Sequence, residues 1–258
     1  MTEKTYHFIT GLPRSGSTLL SSILRQNPRF HASITDPIAT FVKGTIETLG
    51  NEPGMKSEVP IERRRNIIRG MIDGYYKDVD KEVVFNTNRG WTYLTHVMSD
   101  IYPSAKYIVC VRDINWVLDS FEVAQRKNPL SSNTVSGGPG KSVYDRVDSH
   151  MDKAGIVGFP YVGIKQAITG NEKNKLMLIE YDQLCKNPEQ TIQSVYHFIG
   201  EEQFTHDFDN VESNWDEYDA EIGIPLHRVK KKVEFTPRQF ILPPDILQKY
   251  VNLEVWRM

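Results

Sequence analysis

The sequence predicts an α/β fold, in which helices cover both faces of a parallel β-sheet. Short apolar runs that contain β-branched or aromatic residues are typical of buried strands, and longer segments with helical periodicity separate them. Strands that alternate with helices in this way run parallel and are covered on both sides. The length of 258 residues fits one large domain over residues 1–258.

Four strands are predicted, at residues 6–10, 82–85, 106–111 and 176–180. Apolar residues at positions 19, 20, 23 and 24 predict a helix after the first strand. This helix should end near Asn27, because a residue before proline avoids the helical region. The other helices are predicted at residues 61–77, 91–101, 115–126, 142–155, 161–169 and 188–199.

Composition and charge argue against several classes of protein. Hydrophobic residues make up 39% of the chain and charged residues 25%, which favours a packed core over disorder. The formal net charge of -2 argues against a general nucleic-acid binder. Cys110 and Cys185 are too few for a disulfide framework, and neither a signal-peptide pattern nor an apolar stretch of membrane-spanning length is found. We therefore expect a cytoplasmic protein that binds neither nucleic acid nor membrane.

Residues 11–18, Gly-Leu-Pro-Arg-Ser-Gly-Ser-Thr, join the first predicted strand to the first helix and have the spacing of a P-loop. Small residues before a helix let the backbone amides and the helix N-terminus face an anion. Arg14 would supply the positive charge, because Ser17 stands where a P-loop has lysine. The missing lysine argues against a kinase or an ATPase. The alternative is a plain strand-to-helix turn. The candidate phosphate-binding residues here are Pro13, Arg14, Ser15, Gly16, Ser17 and Thr18.

A second group of candidate residues follows the strand at 106–111. Arg112 and Asp113 end this strand, and Ser120 comes eight residues after Arg112. Ligands of open parallel sheets bind at the carboxyl ends of strands, which places Arg112 where it could hold a phosphate. Two alternatives remain: Arg112 pairs with Asp113 or a helix, or Asp113 is a Mg²⁺ ligand as in a Walker B segment.

Together these two segments resemble the sulfotransferase family. The resemblance identifies residues 13–18 as the loop for a 5′-phosphosulfate, and Arg112 with Ser120 as the 3′-phosphate site. The segment from Leu178 through Tyr181 to Pro188 is similar to a strand and turn of the family, and residues 242–247 are similar to the end of tyrosylprotein-type members. From that ending, the family's nucleotide-contacting basic residue corresponds to Arg228, in a basic cluster with Lys230.

The resemblance also implies an activity. It implies the sulfotransferase fold, 3′-phosphoadenosine 5′-phosphosulfate (PAPS) as donor, PAP as product, no metal, and a small-molecule or peptide hydroxyl as acceptor. In such folds variable loops form the acceptor pocket, here residues 40–60 and 128–141. A P-loop small-molecule kinase and a non-catalytic nucleotide-binding module are the alternatives.

The candidate catalytic residues are Arg14, Arg89, Asp36 and His31. Arg14 would stabilise the leaving phosphate. Arg89 is the only strong cation in the segment where many relatives carry a lysine. Asp36 corresponds roughly to the acidic base of tyrosylprotein-type relatives, and His31 is the second candidate base. Asp36 before Pro37 also fits a helix N-cap, and His31 also fits an ordinary surface histidine.

Overall fold

The computed structural model describes residues 4–51, 53–127, 141–212, 219–220 and 227–257. Five parallel strands form one sheet in the order β2-β3-β1-β4-β5. Their bounds are β1 (Thr5–Gly11), β2 (Phe30–Ala32), β3 (Val83–Thr87), β4 (Tyr107–Val111) and β5 (Leu176–Glu180). The predicted loop at residues 128–141 lies, apart from Lys141, outside the described residues.

The helices between and after these strands begin and end at recognisable signals. Ser142 forms a capping box with Asp145 at the start of α7, and α10 begins with Pro188 and ends at Gly200, which has φ 77°. The described helices are α1 (Ser17–Leu24), α2 (Ile38–Asn51), α3 (Pro53–Glu58), α4 (Ile61–Tyr75), α5 (Thr95–Ile101), α6 (Ile114–Lys127), α7 (Val143–Met151), α8 (Gly158–Thr169), α9 (Tyr181–Lys186), α10 (Pro188–Ile199) and α11 (Pro244–Lys249). Short 3₁₀ helices cover Arg89–Tyr93, Lys173–Lys175 and Val255–Arg257.

Both faces of the sheet are buried, as the sequence predicts. Phe8 and Ile9 are neighbours in β1, so their side chains point to opposite faces, yet both are 0% exposed. Ile9 belongs to a core with residues of α1 and α10, whereas Phe8 packs on Trp91 at 4.5 Å between ring centres. The expected α/β fold with helices on both faces is therefore confirmed.

The central position of β1 creates the crevice of the molecule. β1 pairs with β3 on one side and with β4 on the other, so the segments that follow these strands meet at one edge of the sheet. Crevices at the carboxyl ends of parallel strands are the usual ligand sites of open α/β sheets. The loop at residues 11–18 follows β1 and therefore lies in this crevice.

The prediction of a loop at residues 40–60 is wrong, because α2 and α3 occupy most of that segment. Ile38, Ala39, Val42 and Leu49 form a buried apolar stripe on α2. The predicted helix 91–101 also differs, since its first turn is the 3₁₀ helix Arg89–Tyr93. Along the described parts of the chain, no helix combines the length and apolarity needed to span a membrane.

Candidate active site

A cavity of about 630 Å³ opens at the carboxyl edge of the sheet. The segments after β1, β3, β4 and β5 line it, together with residues 227–230 and 232–234. It brings together ten of the predicted site residues: Pro13, Arg14, Gly16, Ser17, Thr18, Arg89, Arg112, Tyr181, Arg228 and Lys230. The other four, Ser15, His31, Asp36 and Ser120, are not among the lining residues.

Two glycines fix the path of the loop at residues 11–18. Gly11 has φ 125°, and a Cβ there would lie 2.0 Å from the carbonyl oxygen of Cys110. Gly16 has φ 92°, and a Cβ there would lie 2.7 Å from the ring of Tyr181. Arg14 also has a positive φ of 59°, which costs a non-glycine residue about 1–3 kcal/mol. The loop therefore follows a constrained path around the cavity.

The side chain of Ser15 joins this loop to the sheet by a hydrogen bond to β4. Its hydroxyl lies 2.5 Å from the carbonyl oxygen of Leu12 and 2.9 Å from that of Cys110 on β4. The side chain is 1% exposed and faces the protein interior. Ser15 thus holds the loop in position by hydrogen bonds in the protein interior. Gly16, Ser17 and Thr18, in contrast, line the cavity.

The N-terminus of α1 faces the same cavity. Gly16 is its N-cap and offers no side-chain hydrogen bond, although the first turn of a helix has amides without intrahelical partners. These amides and the helix dipole give the loop a positive electrostatic potential. The site can therefore hold an oxyanion.

Arg112 is held by two aromatic rings. Its guanidinium carbon lies 3.9 Å from the ring centre of Tyr181 and 4.2 Å from that of Trp116. Arg238 also stacks on Trp116 at 4.8 Å and pairs with the fully buried Asp119 at 2.8 Å. Such contacts fix the plane of a guanidinium as well as its charge.

The described residues pair only part of the Arg112 guanidinium. Its Nη1 lies 3.4 Å from the carbonyl oxygen of Arg14, but its buried Nε makes no hydrogen bond to any described residue. Desolvation lowers the pKa of Arg112, and the nearby Tyr181 and Asp182 oppose that shift. A partly buried cation favours an anionic partner, because it has lost part of its hydration without a full replacement.

The remaining predicted binding residues differ in their positions. Arg89 lines the cavity beside Thr10, whose hydroxyl donates to the Arg89 carbonyl oxygen at 3.3 Å. Lys230 lines it as well and pairs with Glu234 at 3.1 Å. Ser120 instead donates to the carbonyl oxygen of Val117 at 2.8 Å, within α6.

Asp36 takes part in a buried hydrogen-bond network outside the cavity. Its carboxylate accepts hydrogen bonds from the hydroxyls of Tyr75 at 2.8 Å and Tyr76 at 2.7 Å. Asn86 donates to the Tyr76 hydroxyl and accepts a hydrogen bond from the Trp91 indole at 2.6 Å. Burial, followed by the Asp36 carboxylate, raises the pKa of Tyr75 to about 12 and that of Tyr76 further. The Asp36 carboxylate does not line the cavity, where a catalytic base would meet the acceptor. The partners given for it are tyrosine hydroxyls, whereas an N-cap would bind the backbone amides at the start of α2.

His31 also lies away from the cavity, on β2. Its ring packs edge-on against Tyr76 at 5.7 Å between centres. Burial lowers its pKa, and the charge of Asp36 opposes that shift. Neither of the two candidate bases therefore reaches the cavity in this structure.

Comparison with known proteins decides the family. The model of the sulfotransferase family matches residues 7–206. This range includes the loop at 11–18, Arg112 and the five strands, apart from the first two residues of β1. The chain belongs to the sulfotransferase family. The family membership expected from the loop and the Arg112 segment is thereby confirmed.

Several solved structures, two of them of sulfotransferases, share the fold. The sulfotransferase domain from the curacin biosynthetic pathway is 15% identical, with a TM-score of 0.56 over 83% of this chain and 80% of that domain. A sulfotransferase from Alicyclobacillus acidocaldarius is 18% identical, with a TM-score of 0.52 over 86% of this chain and 92% of that one. Retinol dehydratase in a complex with retinol and PAP is 14% identical, with a TM-score of 0.52 over 98% of this chain and 81% of that one.

A sequence relative of this sulfotransferase-family chain is the nodulation protein NoeE of Sinorhizobium fredii. The two are 23% identical over 221 residues, which cover 75% of this chain and 49% of NoeE. The chain therefore spans about half the length of this relative.

The structure adds cavity residues that sequence reasoning did not single out for the site. Phe121, Ile156 and Phe159 supply apolar lining, and the Phe159 ring stacks on Tyr93 at 4.6 Å. His227 lines the cavity too, and its Nδ1 lies 2.7 Å from a carboxylate oxygen of Asp219. The sequence carries no motif that links these positions; only the basic cluster around His227 marked that segment.

Proposed function

We propose that this chain transfers a sulfuryl group from PAPS to a hydroxyl acceptor and releases PAP. The observation that carries the proposal is the meeting of the 11–18 loop, Arg14 and the stacked Arg112 in one cavity. Membership of the sulfotransferase family supports it, as does the PAP bound in the retinol dehydratase structure of the same fold.

The 5′-phosphosulfate of PAPS would bind at the loop. Sulfuryl transfer leaves negative charge on the 5′-phosphate, and preorganised donors stabilise such charge without reorganisation. The amides at the start of α1, the Arg14 guanidinium and the hydroxyls of Ser17 and Thr18 are the donors that this loop offers. Gly16 keeps the loop close to Tyr181.

The 3′-phosphate would bind at Arg112. The guanidinium of Arg112, held at the cavity by its two aromatic contacts, would donate to a phosphate oxygen, and Arg228 supplies a second positive charge at the cavity. Ser120 would have to release the Val117 carbonyl oxygen before it could donate to a ligand. We therefore assign the main part of this site to Arg112 and Arg228.

The acceptor would bind between two other parts of the cavity lining. One part of the lining is apolar and contains Ile156, Phe159 and Pro160, whereas another part is polar and contains Asn88 and Arg89 after β3. Such a pairing of apolar and polar lining suits an organic molecule that presents a hydroxyl group.

The test is a transfer assay with sulfur-labelled PAPS and a panel of alcohols, phenols and sugars. We expect labelled product and PAP in equal amounts, and loss of transfer in Arg14→Met by on the order of a hundredfold. Arg63→Met, which removes an exposed arginine of α4, is the matched control and should behave as wild type.

Two results would contradict the proposal. PAP binding without transfer to any member of the panel would favour the non-catalytic nucleotide-binding module. Phosphate transfer from Mg-ATP would favour the kinase, against which both the family assignment and the serine at position 17 argue.

A further inference from the structure

The cavity contains a histidine paired with a buried carboxylate. His227 lines the cavity, and its Nδ1 lies 2.7 Å from Oδ1 of Asp219. The side chains of His227 and Asp219 are 15% and 7% exposed. The backbone amide of His227 donates to the same carboxylate, 3.0 Å from Oδ2. Two contacts to one carboxylate thus hold the residue in place.

The carboxylate sets the chemistry of the imidazole. When Nδ1–H donates to Asp219, the neutral ring carries its lone pair on Nε2, which is then the nitrogen that can accept a proton. In a histidine–carboxylate pair of this kind, the carboxylate fixes the tautomer and the orientation of the ring. An oriented histidine of this kind is suited to act as a general base.

Other lining side chains are poorer bases. Glu234 pairs with Lys230 and is 50% exposed, so it stays solvated and ion-paired. Burial raises the pKa of Tyr181 to about 12 and also raises that of Cys185, so both remain protonated and weak at neutral pH. Among the described residues around the cavity, His227 is the group best suited to take a proton.

His227 and the loop where the sulfuryl group would bind line the same cavity. The pKa of Arg14 is lowered, first by desolvation, and the negative charge of Asp219 is among the effects that oppose this shift. The carboxylate of Asp219 is therefore within electrostatic reach of the Arg14 guanidinium. The imidazole therefore belongs to the same cavity as the loop that would hold the transferring group.

We propose that His227 is the catalytic base for the acceptor hydroxyl and that Asp219 positions its ring. The proposal rests on the sulfuryl transfer proposed above. The acceptor oxygen forms a bond to sulfur while the bond from sulfur to the bridging oxygen of the 5′-phosphosulfate breaks. The electron pair of the broken bond stays on the departing phosphate. Nε2 of His227 takes the hydroxyl proton and later gives it to water.

The experiment compares His227→Gln with wild type on two acceptors of the panel, an aliphatic alcohol and para-nitrophenol. An alcohol needs a base, whereas an ionised nitrophenol does not. We expect kcat for the alcohol to fall by on the order of a hundredfold or more, and kcat for para-nitrophenol by less than about tenfold. The KM for PAPS and the Kd for PAP should stay within about twofold of wild type, since the base does not hold the nucleotide.

Further variants separate chemistry from folding. His227→Ala should recover alcohol turnover when imidazole is added, and Asp219→Asn should lower kcat by about tenfold or more without changing the KM for PAPS. His197→Gln, which alters an exposed histidine of α10, is the matched control and should match wild type.

Several outcomes would overturn the proposal. Alcohol turnover in His227→Gln within about twofold of wild type would exclude His227 as the base. Equal losses on both acceptors together with a raised KM for PAPS would make His227 a nucleotide-binding residue. A loss in His31→Gln without one in His227→Gln would move the role to His31. Absence of sulfated product from wild type itself would overturn the proposed function, and with it this inference.

Discussion

The Arg112 guanidinium lies between the rings of Tyr181 and Trp116, with ring centres at 3.9 Å and 4.2 Å. Tyr181 also lies against the loop at Gly16, where no Cβ fits. The proposed 3′-phosphate residue and the phosphate loop are therefore linked through one tyrosine. At the scale of single residues, the site depends on these close contacts as much as on charge.

Replacing Arg112 by alanine should weaken ligands that carry a 3′-phosphate. Loss of a charge-assisted hydrogen bond costs about 1.5–3 kcal/mol, so PAP affinity should fall by roughly ten- to a hundredfold. Adenosine 5′-phosphosulfate, which lacks that phosphate, should lose far less. Titration calorimetry with both ligands measures the difference, and equal losses would mean that Arg112 has a structural role only.

Gly16→Ala should distort the loop without unfolding the protein. The new Cβ would approach the Tyr181 ring to 2.7 Å at φ 92°. The strain of about 1–3 kcal/mol should appear as weaker PAP binding by roughly five- to a hundredfold. The control is Gly44→Ala in α2, where a Cβ has nothing within 4 Å. Gly44→Ala should stabilise α2 by up to about 1 kcal/mol. If Gly44→Ala lost PAP affinity and Gly16→Ala did not, the loop geometry would be contradicted.

At the scale of elements, the Asp36 network joins the start of α2 to α4 and β3. Tyr75 and Tyr76 at the end of α4 donate to Asp36, and Asn88 after β3 donates to the Asp36 carbonyl oxygen at 2.8 Å. Asn88 is also a cavity residue. Although Asp36 itself does not line the cavity, its network therefore holds Asn88, which does.

Tyr76→Phe should destabilise the fold, because it removes a hydroxyl that serves both Asp36 and Asn86. A buried group left without its partner costs about 1–3 kcal/mol in the free energy of unfolding. Tyr75→Phe should cost less, since Tyr75 is 42% exposed and water can replace its hydroxyl. Urea denaturation of the two variants ranks these costs, and an equal or larger loss in Tyr75→Phe would contradict the account.

Strong end signals made some elements predictable from the sequence. Strand 176–180 and helix 188–199 have the predicted bounds, because Pro188 and Gly200 mark the helix and a continuous apolar run marks the strand. The strand β2 was not predicted: three residues, Phe30–Ala32, are too few for a periodic pattern. Helix α2 differs from the predicted loop: Gly44 and Gly50, which disfavour a helix, both lie within it.

Side-chain direction explains which site residues the sequence located. Arg14 and Arg112 were predictable because they follow strands whose carboxyl ends meet in any parallel sheet. Asp36 also stands close to such an end, but its carboxylate turns toward two tyrosines 39 and 40 residues away in the chain. Asp219 and His227 pair across eight residues without any periodicity that would reveal the contact.

At the scale of the whole molecule, two buried histidines connect folding to pH. His7 in β1 is 1% exposed and His150 in α7 is 5% exposed. Burial, together with nearby positive charge, lowers the pKa of each to about 4. Both rings are therefore neutral in the folded protein at pH values where an unfolded chain would protonate them.

Stability should consequently fall as the pH drops from about 6.5 to about 4, because the unfolded state then binds more protons. Between pH 7 and pH 5 each histidine should account for about 1–2 kcal/mol of the loss. His150→Leu should reduce this slope, whereas His197→Gln on the surface should leave it unchanged. Urea midpoints at several pH values provide the measurement, and an unaltered slope in His150→Leu would contradict the assignment.

The most direct test of the account is a comparison of ligands by thermal denaturation of the wild-type protein. The loop at 11–18, Arg14 and Arg112 should together recognise a nucleotide that carries both a 3′- and a 5′-phosphate. Ligands that bind the native state raise Tm by mass action. We predict that PAP raises Tm strongly and that Mg-ATP at the same concentration raises it much less. A larger shift with Mg-ATP than with PAP would contradict the proposed function.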